Sequence, residues 1–176
     1  YFDGEMITLK RFLGPLKGKS ALDIGSGLGF GMKVMEEAGM EVFGIEPSPA
    51  FRAACLGNYP QWKDRIRENT AVDFRFPGQK FDFINFGAVL EHLPDAGKAL
   101  LHAFSYLHSG GVIHVEVPHA DWLVSKLVRF QFRLRGKKWV MNLSPMHRPF
   151  HLYEFSKRSF REHASWNDYV VKDLRV

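Results

Sequence analysis

The stretch Ala21–Gly31, ALDIGSGLGFG, constrains this chain more than any other. Apolar residues surround Asp23, and glycine then stands at positions 25, 27 and 29. Leu22–Ile24 reads as a short buried strand that stops at Gly25. Glycines straight after it let the backbone turn sharply and approach a ligand closely. A helix opening just beyond, with helical spacing over Phe30–Ala38 and a stop at Gly39, leaves its N-terminal N–H groups facing outward.

The same rhythm repeats along the chain. Glu41–Ile45 reads as a second strand, and Ser48–Leu56 as a helix with Ser48 as N-cap and Pro49 at its first position. A third strand is expected within Lys63–Val72. Phe81–Phe86 reads as a fourth strand, Asp95–Leu107 as a helix stopped near Gly110-Gly111, and Val112–Val117 as a fifth strand. Strands alternating with helices predict an α/β fold, a mostly parallel sheet with helices on both faces. The pattern breaks after Pro118. A long basic and aromatic stretch follows, then a helix over Ser156–Ala164 and a final strand over Tyr169–Val176.

At 176 residues, 45% hydrophobic and 24% charged, the chain suits one globular domain. One cysteine, Cys55, permits no internal disulfide and favours a reducing compartment, so a cytoplasmic location is expected. It is read as a small buried hydrophobe. No apolar run in these residues is long enough to span a membrane, and no leader is expected within them. The net charge of +5 is uneven. Trp122–Tyr153 carries seven Lys or Arg and no acid, which leaves −2 on the rest.

The glycine spacing separates two cofactor classes. A dinucleotide fingerprint, G-x-G-x-x-G, requires its third glycine where this chain has Phe30. Asp23, two residues before the first glycine, would repel a pyrophosphate and suits a cationic amino acid. Glu46, about 20 residues on at the end of the second strand, is placed to accept ribose hydroxyls. A cationic, ribose-bearing ligand without phosphate describes S-adenosylmethionine, and a nicotinamide-dependent oxidoreductase is the enzymatic rival.

With these residues the chain resembles the class I (Rossmann-like) S-adenosylmethionine-dependent methyltransferases, small-molecule branch. LDIGSGLG resembles their first motif and GIEPS their acidic ribose-binding motif. NTAVDFRFPGQKFDFINFGAVLEHLPD resembles the stretch from the adenine loop through the fourth strand, and HSGGVIHVEVP the fifth-strand motif. The likeness covers Lys19–Pro118, with HLYEFSKRSF further on. It implies that Asp23, Gly25, Ser26 and Gly27 hold the amino-acid end of the cofactor. Glu46 would take the ribose, with Pro47 and Ser48 beside the adenine. Thr70, Ala71 and Val72 would close over the adenine edge, Thr70 standing where relatives often have Asp. Phe86 and Gly87 would lie near the sulfonium. The implied organisation is a single methyltransferase domain over 1–176: a cofactor core over 19–118, a lid-like substrate insertion over 119–155, and a C-terminal helix and strand over 156–176. The sheet of that family usually ends with one more strand, so a truncated chain or a disordered end is expected.

Methyl transfer requires alignment, exclusion of water and removal of at most one proton. Four residues are candidates for the substrate side: His119, His147, His151 and Tyr153, with His119 or His151 as the base. His92 is read as a packing and hydrogen-bonding residue, and His102, His108, His114 and His163 as structural. Glu91 beside His92 lacks a third donor at helical spacing, so no metal is expected. The segment WLVSKLVRFQFRLRGKKW reads as a lid helix with Leu123, Leu127, Phe130 and Leu134 facing the core. A second reading gives its basic face an anionic partner, with an anionic or lipid-like small molecule or a membrane surface ahead of nucleic acid. Two further alternatives are a catalytically inactive S-adenosylmethionine-binding module and an RNA methyltransferase acting through 122–153. No Asn-Pro-Pro-Tyr-like motif stands near Asn85 to favour amino-group methylation of nucleic acid.

Overall fold

The computed structural model describes residues 3–118, 123–137 and 150–175. Its core is one sheet of five strands: β1 (Ser20–Ile24), β2 (Glu41–Ile45), β3 (Ile66–Arg67), β4 (Phe81–Gly87) and β5 (Leu107–Glu116). They lie in the order β3-β2-β1-β4-β5, and every neighbouring pair is parallel. β1 is the middle strand, with Ala21, Leu22 and Ile24 all but inaccessible to solvent. The order reverses at β1, with β2 on one side and β4 on the other. Loops leaving β1 and β4 therefore diverge above the strand ends and leave the crevice where open α/β sheets bind ligands.

Helices α1 (Asp3–Leu13), α2 (Phe30–Glu37), α3 (Pro49–Asn58) and α4 (Ala96–Phe104) accompany the sheet. α2 packs on β1 and β2, and α1, which the sequence reading did not anticipate, packs on β5. Met6 and Leu9 of α1 join Met32, Met35, Val42, Cys55 and Trp62 in one buried cluster. α3 begins as expected: Ser48 Oγ accepts from the Phe51 N–H at 3.3 Å, and Pro49 opens the helix.

Several expectations are corrected. The helix read over Phe30–Ala38 ends at Glu37 with Ala38 as its C-cap; it buries Met32 and Met35 and leaves Phe30 68% exposed. The third strand is only the pair Ile66–Arg67. The Gly110-Gly111 pair does not stop a helix; it lies inside β5, which starts at Leu107. Gly110 there has φ 78°, and the pairing slips between Phe81↔Leu107 and Phe83↔Val112, so the glycines absorb a bulge. Residues 169–175 form no strand.

The chain divides into two compact units. The first comprises Tyr1–Val89 and Lys98–Glu116, and holds the sheet. The second comprises Leu90–Gly97 and Val117–Val176. Within the second unit, α5 (Leu123–Leu134) forms where a helix was expected, but three residues expected to face the core do not: Leu127, Phe130 and Leu134 are 60%, 61% and 73% exposed. Helix α6 (Lys157–Ser165) starts at Ser156, whose Oγ accepts from the Ser159 N–H at 3.2 Å while Ser159 Oγ accepts from the Ser156 N–H.

Candidate functional site

The site grows from the first unit's glycine loop. The N–H groups of Gly25 and Ser26 both donate to the Ile45 carbonyl, at 2.9 and 3.0 Å, which ties the loop to the end of β2. Gly29 has φ 86°, a conformation L side chains rarely adopt. A Cβ there would stand 2.6 Å from Cys55 Sγ and 2.8 Å from Trp62. This contact explains the buried Cys55 and gives Trp62, whose Nε1–H donates to Glu36 at 2.9 Å, a place in the loop's floor. Gly27 is the opposite case. Its φ is 53°, and a Cβ would meet nothing nearer than the Gly25 carbonyl at 3.9 Å. One glycine is packed from below; the other opens onto space.

Glu46 follows β2 and is buried, 6% exposed. Its Oε2 accepts from the Gly27 N–H and its Oε1 from the Ser48 N–H, each at 2.8 Å. Two backbone donors thus fix the carboxylate between the glycine loop and the α3 cap. Each oxygen keeps a further lone pair for a hydroxyl. The Glu46 N–H itself donates to the Arg67 carbonyl at 3.0 Å, so the loop after β3 leaves from the same edge. In that loop the Thr70 N–H and hydroxyl both donate to Asp73 Oδ1, at 2.8 and 2.7 Å, and these bonds hold Asp73 below the usual carboxylate range. The Thr70 oxygen remains able to accept. Ala71 is buried and Val72 half-buried. Pro47, between Glu46 and the cap, is exposed.

Asp23 sits at 5% exposure on β1. Burial pushes its carboxyl up to about 6; the hydrogen bond from Asn85 opposes this and the nearby charge of Glu46 adds to it. Asn85 Nδ2 donates to Asp23 Oδ1 at 2.8 Å, and Asn85 Oδ1 lies 2.7 Å from His114 Nδ1. An amide oxygen only accepts, so the His114 proton is on Nδ1. The three residues are register partners on β1, β4 and β5, forming one polar rung across the sheet. Burial also lowers the pKa of His114. Sequence reasoning missed Asn85 and gave His114 no partner. It also missed Gly31, where a Cβ would fall 2.7 Å from Asp23 Oδ2. At the end of β4, Phe86 is inaccessible and Gly87 partly open, and Ala88 follows with φ 53°.

These residues fit the cofactor read from sequence. The loop offers a floor open above Gly27, a carboxylate fixed at the end of β2, and a buried hydroxyl, Ser26 Oγ, that meets no hydrogen-bond partner among the described residues. A shallow basic hollow lined by Arg75, Lys80, His102 and Tyr106 lies by the start of β4, at the opposite strand ends.

Of the substrate candidates, His119 and His147 lie outside the described residues. His151 and Tyr153 belong to the second unit. Tyr153 donates its hydroxyl proton to the Pro94 carbonyl at 2.8 Å. The ring of His151 meets His92 edge-on, centroids 4.8 Å apart. His92 does hydrogen-bond, its Nδ1 lying 2.9 Å from the Phe150 carbonyl. The ring nitrogens of His102 and His163 meet the Phe74 carbonyl at 3.0 Å and the Tyr169 hydroxyl at 2.8 Å.

Comparison with known proteins agrees with this geometry. The ubiquinone biosynthesis O-methyltransferase of Azorhizobium caulinodans is 27% identical over 137 residues, covering 77% of this chain and 52% of that protein. The chain thus spans about half the length of this curated relative. The YcgJ protein of Bacillus subtilis superposes with a TM-score of 0.71 at 21% identity, over 99% of this chain and 71% of that one. The Haemonchus contortus phosphoethanolamine N-methyltransferase 2, solved with phosphomonomethylethanolamine and S-adenosylhomocysteine, gives 0.65 at 23% identity, over 94% and 36%. The methyltransferase domain family itself matches residues 3–171. With that match, the glycine loop and the buried acid after β2, the chain belongs to the methyltransferase domain family, of the class I S-adenosylmethionine-dependent kind.

Proposed function

We propose that the chain binds S-adenosylmethionine at the glycine loop and transfers its methyl group to an oxygen or carbon of a small molecule, releasing S-adenosylhomocysteine. The observation that carries this is Glu46, buried at the end of β2 and fixed by the Gly27 and Ser48 N–H groups beside an open floor. The cofactor supplies an activated methyl on a sulfonium. In this reading the second lone pairs of Glu46 accept the ribose hydroxyls. Asp23, Gly25, Ser26 and Gly27 receive the amino-acid end. Pro47 and Ser48 flank the adenine, whose edge meets Thr70, Ala71 and Val72, and Phe86 and Gly87 bound the methyl side. His119, His147, His151 and Tyr153 contact the acceptor, with His119 or His151 taking its proton. The relative from Azorhizobium supports an oxygen acceptor.

The segment over 119–155 is assigned to the substrate side. Along α5 the exposed Leu127, Phe130 and Leu134 stand in a stretch that also carries Arg133, Arg135 and Lys137. An anionic or lipid-like acceptor, or transient contact with a membrane surface, accords with that pairing. None of the described helices is long and apolar enough to cross a membrane. A cytoplasmic location accords with the lone free cysteine.

The test is calorimetric titration of S-adenosylhomocysteine, with NADH beside it, into the wild type and Glu46→Gln. Micromolar binding of the first ligand alone, weakened in the variant, is the expected result. Binding of NADH alone, or of neither, overturns the reading. Steeply salt-dependent RNA binding would favour a nucleic-acid acceptor.

A further inference from the structure

The turn Leu90–His92 and the segment at Phe150–Tyr153 meet within the second unit. The Leu152 N–H donates to the Glu91 carbonyl at 2.7 Å, the Tyr153 N–H reaches the same oxygen at 3.4 Å, and the Tyr153 hydroxyl binds the Pro94 carbonyl. These bonds hold two stretches of backbone, nearly sixty residues apart in the chain, in fixed register. Their side chains bring one carboxylate and two imidazoles together. One donor atom from each of Glu91, His92 and His151 lies within 4.8 Å of the other two.

We propose that Glu91, His92 and His151 bind a divalent transition-metal ion of the zinc class. Three features point that way. The donor set is chemically apt: two neutral imidazoles and a carboxylate are the ligands borderline ions select, and three protein ligands leave a coordination position open. The imidazole of His92 is oriented for it. A backbone carbonyl only accepts, so the Phe150 oxygen 2.9 Å from Nδ1 places the proton there and leaves the Nε2 lone pair facing Glu91 Oε1 at 3.8 Å. A carbonyl behind a ring nitrogen is the usual support of a metal-bound histidine. Glu91 is only 1% exposed, so its carboxylate is removed from competing water. Metal–ligand bonds of about 2.0–2.2 Å put neighbouring donors about 3–3.5 Å apart, so the group closes by about an ångström on binding. The sequence alone argued against a metal because no third donor stands at helical spacing from His92; the fold supplies it as His151. A metal on His151 occupies its lone pair and leaves His119 as the histidine for proton removal.

The test uses the whole chain without an affinity tag. Co²⁺ is titrated and followed by its visible absorption, and Zn²⁺ by calorimetry; wild type, His92→Ala, His151→Ala and Glu91→Gln are compared. One equivalent should bind, with cobalt bands in the four- to five-coordinate range. Each variant should weaken binding by about tenfold or more, the loss that removing even a supporting partner brings. Far-ultraviolet circular dichroism identifies a variant that fails to fold, and the half-buried His151→Ala then carries the test. No binding by the wild type, or binding that both histidine variants retain, overturns the site and leaves the group an ordinary histidine–carboxylate pair. Titrating S-adenosylhomocysteine into the same samples separates the proposals. Nucleoside binding without cobalt binding sinks only the metal site, and the reverse sinks only the cofactor assignment.

Discussion

The glycine loop and α5 are both announced by spacing in the sequence, yet they end in opposite environments. Around the loop, Cys55 and Trp62 crowd Gly29, Asp23 crowds Gly31, and two backbone donors pin Glu46. The loop's geometry is determined from several sides. On α5 the leucine and phenylalanine spacing is equally regular, but the stripe stands in solvent. Glycine in a strand-to-helix turn reports a steric demand at its own position, so it localises well. Amphipathic spacing reports that a face exists and leaves open what covers it.

The strongest way to break this contrast is Gly29→Val. Left-handed backbone strain and the clash with Cys55 and Trp62 should together cost about 4 kcal/mol in urea unfolding. A cost below about 1 kcal/mol would show that the floor yields. Gly57→Ala, in α3 with nothing within 4 Å of the added Cβ, should instead stabilise by about 0.5–1 kcal/mol.

Next in size is the acid on β1. Because the Asp23 carboxyl is raised from 3.8 to about 6, protonation favours the folded chain. Stability should therefore fall as pH rises from about 4 to 6, by about 3 kcal/mol, and level off above. Asp23→Asn should remove that slope in unfolding curves measured across the window. If Asp23 also faces the cofactor's ammonium, affinity for S-adenosylhomocysteine weakens towards tenfold per pH unit below 6.

Glu46→Gln replaces a charged acceptor of two backbone N–H groups with a neutral one. A loss of about 10- to 100-fold in S-adenosylhomocysteine affinity is expected by calorimetry. An unchanged Kd would detach the ribose from β2. The smallest effect belongs to α5: Phe130→Ser should change stability by less than about 0.5 kcal/mol. A cost of 3 kcal/mol, typical of a buried phenylalanine, would show that the stripe is covered.

Much of the first unit was legible because its signals are local. The glycines, the Ser48–Pro49 helix start and the acid after β2 need only neighbours in sequence to be interpreted. Asn85 and His114 were not legible: their partners lie across strands, 62 and 29 residues away, and appear only with register. The Glu91–His92–His151 group escaped for the same reason. The Gly110-Gly111 pair misled because glycine marks a bulge in a strand as readily as the end of a helix. The expected strand over Tyr169–Val176 rested on β-prone composition alone, which tertiary context overrides.

The membership of Leu90–Gly97 in the second unit has a consequence for biosynthesis. His92 leaves the ribosome 58 residues before Phe150, the carbonyl that receives its ring proton. At about 5–20 residues per second, that interval is roughly 3–12 s. Over the same interval β5, the partner of β4, is made, so the sheet can close while the loop between them still waits for its own partner. The nascent chain thus carries Glu91 and His92, two of the three proposed ligands, for several seconds before His151 is made.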